Sequence, residues 1–181
     1  MGCGSSKDIT TNGTTNPDAS LEKEKEPEVP KEKSALEKFR EESLIAHNHK
    51  RSLHGAPPMK LSSELNSIAQ SYAEHLAKTG AFEHSARERR KGAGENLAAH
   101  SNPINGAAVV DMWYNEIKDY DWSRPEFQPS TGHFTQVIWK ESAHLGMGMS
   151  EKGSNGMYVF VANYSPAGNM MGAFQDNVLP L

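Results

Sequence analysis

At 181 residues the chain is long enough for one domain with a proper core, and its net charge of −4 argues against nucleic acid as a partner. Its one cysteine, Cys3, excludes an intramolecular disulfide, and the lack of bridges favours a reducing compartment. No apolar run approaches the ~20 residues that span a bilayer, and the N-terminal stretch lacks a signal-peptide core. The chain is therefore expected to stay on the cytosolic side of membranes.

Residues 1–33 differ in composition from the rest of the chain. "SKDITTNGTTNPDAS" is polar and turn-rich, and "LEKEKEPEVPKEK" is charged and broken by prolines. Such a segment buries too little apolar surface to offset chain entropy, so it is expected to be a disordered tether. Its first residues, "MGCGSSKD", place Gly2 after the initiator and Ser6 fifth in the processed chain, the N-myristoylation pattern. Cys3 stands where a palmitoylated cysteine would. One myristoyl chain binds membranes only marginally, with K of about 10⁴ M⁻¹, so a second signal is needed. Five lysines against seven acids in residues 1–33 provide no polybasic one, which leaves Cys3.

The folded domain is expected over residues 34–181. Ser34 and Glu37 fit a capping box opening a helix that runs to about residue 54, where Gly55, Pro57 and Pro58 end it. Leu65, Ile68, Ala69, Tyr72, Ala73 and Leu76 recur at helical spacing, and Gly80 stops that run. "AFEHSARERRKGAGEN" reads as a loop. A third helix is predicted over residues 105–120, followed by strands over 133–139, 145–149 and 157–164, the last two joined as a hairpin through "EKGSNG". The tail reads as irregular. Helices first and antiparallel strands later make an α+β fold, with helices on both faces of a small sheet.

Four residues of the folded part stand out chemically. Glu116 falls among Val109, Met112, Trp113, Ile117 and Tyr120, where a carboxylate needs a hydrogen-bonding partner or has a raised pKa. It reads equally well as a structural acid and as a functional one. His133 lies at the mouth of a predicted strand, His84 in "FEHSA" and Glu95 in "GAGENLA". Two imidazoles and two carboxylates can build an open metal site, although spacing alone does not establish one. Ser85 and Ser142 lack a nucleophile elbow. Arg87, Arg89, Arg90 and Lys91 can be written as a site for phosphates or lipid headgroups, but around Glu88 they read rather as a solvated loop.

"GHFTQVIW" resembles the signature of the CAP superfamily (cysteine-rich secretory proteins, antigen 5 and pathogenesis-related proteins; the SCP domain), and "FVANYSPAGN" resembles its second signature. "AHNHKRSLHGAPPMKL", "EHS", "GENLA" and "WYNEI" match the same family pattern in order. The resemblance covers residues 36–180 and implies a three-layer α-β-α sandwich with a mainly antiparallel sheet. It also implies a cleft tetrad of His84, Glu95, Glu116 and His133, with His84 and His133 as ligands of a divalent ion such as zinc. Secreted members carry a cysteine where this chain has Ala162, so the domain is similar to the intracellular branch. That branch implies acylation at Gly2 and Cys3, a place on the cytosolic face of Golgi or plasma membrane, and no secretion. It further implies binding of acidic phospholipids, caveolin as a protein partner, and a homodimer. A lipid- and protein-binding module rather than an enzyme is expected, with a metal-dependent hydrolase as the alternative.

Overall fold

The computed structural model describes residues 32–181, together with Met1 and Gly13. Gly2, Cys3 and the expected tether lie outside the described residues. The chain divides into Met1–Glu32 and Lys33–Leu181, and the described helices and strands all belong to the second unit.

Helix α1 (Ala35–Leu53) opens on the expected capping box. The Glu37 N–H donates to Ser34 Oγ, and the Ser34 N–H donates to the Glu37 carboxylate. Helix α2 (Ser63–Thr79) is closed by Gly80 at φ 73°, a left-handed C-cap that glycine adopts without a Cβ clash. Strand β1 (Lys60–Leu61) precedes α2, and β2 (Gly94–His100) begins in the last residues of what reads as loop in the sequence. The hairpin of β3 (His144–Met149) and β4 (Tyr158–Ser165) matches the reading from the sequence, and a short α5 (Phe174–Asn177) lies in the tail.

The sheet runs β1-β3-β4-β2, with β1 parallel to β3 and the other pairings antiparallel. On one face α2 packs Ala69, Tyr72, Ala73 and Leu76 onto Leu97, Val159 and Val161. Gly146 and Gly148 make that approach close, because a Cβ at either position would strike the α2 backbone at Leu65 or Ala69. On the other face Phe39, Trp113, Phe134, Trp139, Met147, Phe160 and Tyr164 belong to the larger core cluster. The result is the three-layer α-β-α sandwich of the α+β class.

Two expectations are corrected. Helix α3 (Gly106–Tyr114) stops early and tightens into a 3-10 turn, Asn115–Asp119, so Glu116 does not sit within an α-helical stripe. Residues 133–139 are not a strand. Helix α4 (Gly132–Ile138) holds His133 in its first turn, and Phe134 through Ile138 are all buried. A helix wrapped in core on every side shows no amphipathic period, which is why its run reads as a two-sided buried strand.

Candidate functional site: a cleft with two histidine–carboxylate pairs

The first pair is built where the loop before β2 folds back on that strand. Glu95 extends from β2 with its side chain 1% exposed. One carboxylate oxygen accepts from the Ser85 N–H at 2.8 Å and from His84 Nδ1 at 2.9 Å; the other accepts from Ser85 Oγ at 2.6 Å. Arg90 stands 3.6 Å away, its own fork tied to the Ser85 and Ala93 carbonyls. Burial pushes the Glu95 carboxyl up, but the hydrogen bonds from His84 and Ser85 and the Arg90 charge outweigh it and hold the group below its ordinary value.

The second pair joins the 3-10 turn to α4. Glu116 Oε1 accepts from His133 Nδ1 at 2.7 Å, while Oε2 accepts from the His133 and Phe134 N–H groups at 3.0 and 3.1 Å. Thr131, at the N-cap position, makes no side-chain cap bond, so Glu116 reaches in from another element to satisfy the open donors of α4. At the other end of α4, Arg51 takes the carbonyls of Val137 and Trp139.

His84, Glu95, Asn96 and His133 line one cavity of about 150 Å³, with Phe127, Pro129, Gly132 and Asn169. Glu116 is not among its lining residues and acts on it through His133. An adjoining cavity of about 270 Å³ shares His84, Glu95 and Asn169 and adds Arg87, Arg90 and Met170. Of the four residues that the resemblance implies, His84, Glu95 and His133 line one cavity and Glu116 bonds His133 from behind it.

Since a carboxylate only accepts, the neutral form of each imidazole carries its proton on Nδ1 and presents Nε2 as the lone pair. That tautomer suits metal ligation, in which the second nitrogen is fixed by an acid. The acids are spent on this orienting role and on backbone donors, which leaves two ligands. Among the described residues no three His, Cys, Asp or Glu side chains are placed to share an ion. The donor set fits a weak, open two-histidine site and not a closed structural one.

Residues that the sequence reading passed over hold the site in place. Asn96, next to Glu95 on β2 but on the opposite face, donates to the His133 carbonyl and to the Tyr164 hydroxyl, both at 3.1 Å. Tyr164 donates to His47 Nε2 at 2.9 Å, and His47 Nδ1 donates to the Ser43 carbonyl at 2.7 Å. The Trp113 ring stacks on His133 with centroids 6.4 Å apart, its N–H fixed by the Leu97 carbonyl. His47, Asn96, Trp113 and Tyr164 each lie in a stretch that carries the family resemblance, but their hydrogen-bond partners lie far away in sequence.

The model of the CAP family, the cysteine-rich secretory protein family, matches residues 44–164, and this chain belongs to that family. It is 46% identical over 150 residues to Golgi-associated plant pathogenesis-related protein 1 of Homo sapiens, covering 82% of this chain and 97% of that one. Protein PRY2 of Saccharomyces cerevisiae is 40% identical over 75% of this chain, which spans 39% of that longer protein. Among solved structures, NaASP2 with Zn²⁺ superposes with a TM-score of 0.63 at 29% identity, over 75% of this chain and 83% of that one.

Proposed function

We propose that this CAP-domain protein is a lipid-anchored binding module on the cytosolic face of Golgi or plasma membrane, recruiting lipids and proteins rather than turning over a substrate. The observation that carries the choice of binding over hydrolysis is the engagement of both carboxylates. Glu95 spends both oxygens on Ser85 and His84 and is a weakened base; Glu116 spends both on His133 and the start of α4. Each acid is committed to orienting an imidazole and its neighbouring N–H groups, which favours a positioning role over that of a general base. The anchor rests on "MGCGSS", on the absence of cysteine from the folded part and on the Golgi-associated relative. Among the described residues no helix is long and apolar enough to cross a membrane.

Acidic phospholipids, a caveolin-type partner and a second copy of the chain are the proposed partners, and a divalent ion on His84 and His133 the proposed cofactor. When bound, such an ion would supply a Lewis-acidic centre with open positions; the protein contributes the two oriented Nε2 atoms. The alternative, hydrolysis at that centre, is favoured by the open coordination alone.

Two measurements test the reading. In cells, Gly2→Ala should leave the protein soluble and Cys3→Ser should leave weak, washable binding, since one acyl chain is marginal; stable retention of Gly2→Ala removes the anchor. Zinc-loaded protein assayed against peptide and ester panels should show no turnover. Turnover abolished by Glu95→Gln would establish the hydrolase instead.

A further inference from the structure

The folded domain holds two Asn–Gly pairs, Asn105–Gly106 and Asn155–Gly156. In such a pair the glycine nitrogen can attack the asparagine carboxamide, because no side chain shields it. The two pairs stand in opposite surroundings. Asn105 is the N-cap of α3, with Oδ1 accepting from the Ala108 N–H at 2.9 Å, and the Gly106 N–H donates to the Glu42 carboxylate at 3.1 Å. A Cβ at Gly106 would strike the backbone of Phe39 and Ser43, so this peptide is wedged between α1 and α3. Closing a five-membered ring there would have to undo the start of the helix.

Asn155 is exposed, in the turn that joins β3 to β4. Gly156 has φ 80°, and apart from its chain neighbours the one atom within 4 Å of where its Cβ would stand is Lys152 Cε, at 4.0 Å. The ring therefore has room to form. The Met157 N–H donates to Asn155 Oδ1 at 3.0 Å, which polarises the carboxamide and steadies that oxygen as it gains charge under attack. Against this stands one turn bond, from the Gly156 N–H to the Gly153 carbonyl at 2.9 Å, which ring closure has to break.

We propose that Asn155 is a site of self-modification, converted to isoaspartate and aspartate through a succinimide. The Gly156 nitrogen loses its proton and bonds to Asn155 Cγ; the Cγ–Nδ2 bond breaks, and ammonia leaves with a proton. Water then opens the ring. Opening at the main-chain carbonyl gives isoaspartate, which adds a methylene to the backbone of the turn, and opening at Cγ gives aspartate. The turn is docked on the end of α2, where the Ser154 N–H donates to the Ala77 carbonyl at 2.9 Å and Asn155 Nδ2 to the Gly80 carbonyl at 3.4 Å. A carboxylate cannot donate to Gly80 and faces the negative end of a 17-residue helix, so the product loosens the turn from α2. Residues 149–154 also line a cavity of about 640 Å³ together with the start of α1, so the change alters the rim of that cavity. The chemistry needs only water and does not depend on the function proposed for the cleft.

The test incubates full-length protein at mildly alkaline pH, native and in urea, and follows both pairs by peptide mapping with mass spectrometry. Isoaspartate is identified by methyl transfer from S-adenosylmethionine with a protein-isoaspartate methyltransferase. Native Asn155 should convert at a rate close to that of the unfolded chain, and faster as pH rises, since the amide nitrogen attacks as its anion. Native Asn105 should convert at least about tenfold more slowly than when unfolded, because the helix cap has to be given up first. Asn155→Gln, which would need a six-membered ring, should leave no product at this position over the same time. Asn155→Asp reproduces one product, and hydrogen exchange at its Ser154 amide should be several-fold faster than in wild type. A native Asn155 slowed by folding as much as Asn105 overturns the proposal. An unchanged Ser154 exchange rate in Asn155→Asp overturns the loosening of the turn.

Discussion

In the first pair of the cleft the acid is the buried member and the imidazole is a loop side chain, 57% exposed. In the second pair the ring rides in the first turn of a helix, and the acid serves that helix's backbone as well as the ring. The difference separates two ways of aiming an imidazole. Glu95 aims His84 through the ring and through the N–H and hydroxyl of the adjacent Ser85, inside a hydrogen-bonded loop. Glu116 aims His133 by fixing the helix that carries it. The His84 half should therefore yield only to changes in its own loop, whereas the His133 half should feel every residue that anchors α4.

The strongest way to break that contrast is at Arg51, the far anchor of α4. It is fully buried, with no acid partner among the described residues, and donates to the carbonyls of Pro57, Val137, Trp139, Lys140 and Ser142. Burial lowers the guanidinium to about 10, so it stays charged at neutral pH. Arg51→Met fills the space but leaves those carbonyls without donors, and should cost about 4 kcal/mol or more in urea unfolding. In the surviving folded fraction, NMR should show His133 displaced and the His84–Glu95 pair intact. Equal disturbance of both pairs would mean that the halves are one unit.

A gentler probe is acid acting on the network behind His133. Burial holds His47 down at about 4, against an ordinary value of 6.5, and lowers His54 as well. A neutral imidazole is favoured only in the folded state, so between those values the unfolded chain binds more protons. The stabilisation is complete above the unfolded pKa and is lost as pH falls toward the folded one. For His47 this amounts to about 2 kcal/mol between about pH 7 and pH 5. Urea melts across that range should show the loss, and His47→Gln should flatten it; an unchanged slope in the variant would place the proton uptake elsewhere.

Much of this was legible from the residues. The capping box at Ser34, the spacing from Leu65 to Leu76 and the hairpin around "EKGSNG" each express a local rule, and each element formed as read. What stayed hidden depends on contacts distant in sequence. Edge strand β2 is rich in alanine and lies among glycines, so only its pairing with β4 makes it a strand. Helix α4 has polar partners 17 residues before it and 86 or more before it, in Glu116 and Arg51. The four cleft residues could be named, but not the division of labour between them. That division depends on whether Glu116 stands in an α-helix or in the 3-10 turn beyond it.

The smallest expected effect isolates that division. Glu116→Leu removes a carboxylate that is 23% exposed and leaves the N–H groups of His133 and Phe134, and His133 Nδ1, without their acceptor. Water can reach part of this site, so the cost should resemble that of a lost helix cap, about 1–2 kcal/mol. Glu116→Gln keeps an acceptor oxygen and should recover about half of it. The amide signals of His133 and Phe134 should move in the leucine variant, with those of Ser85 and His84 unchanged. Zinc titrated into both proteins sharpens the comparison. If Glu116 acts by fixing the ring, affinity should fall several-fold in Glu116→Leu and remain close to wild type in Glu116→Gln. A leucine variant as stable as wild type, with His133 undisturbed, would show that α4 is held by Arg51 and the core alone.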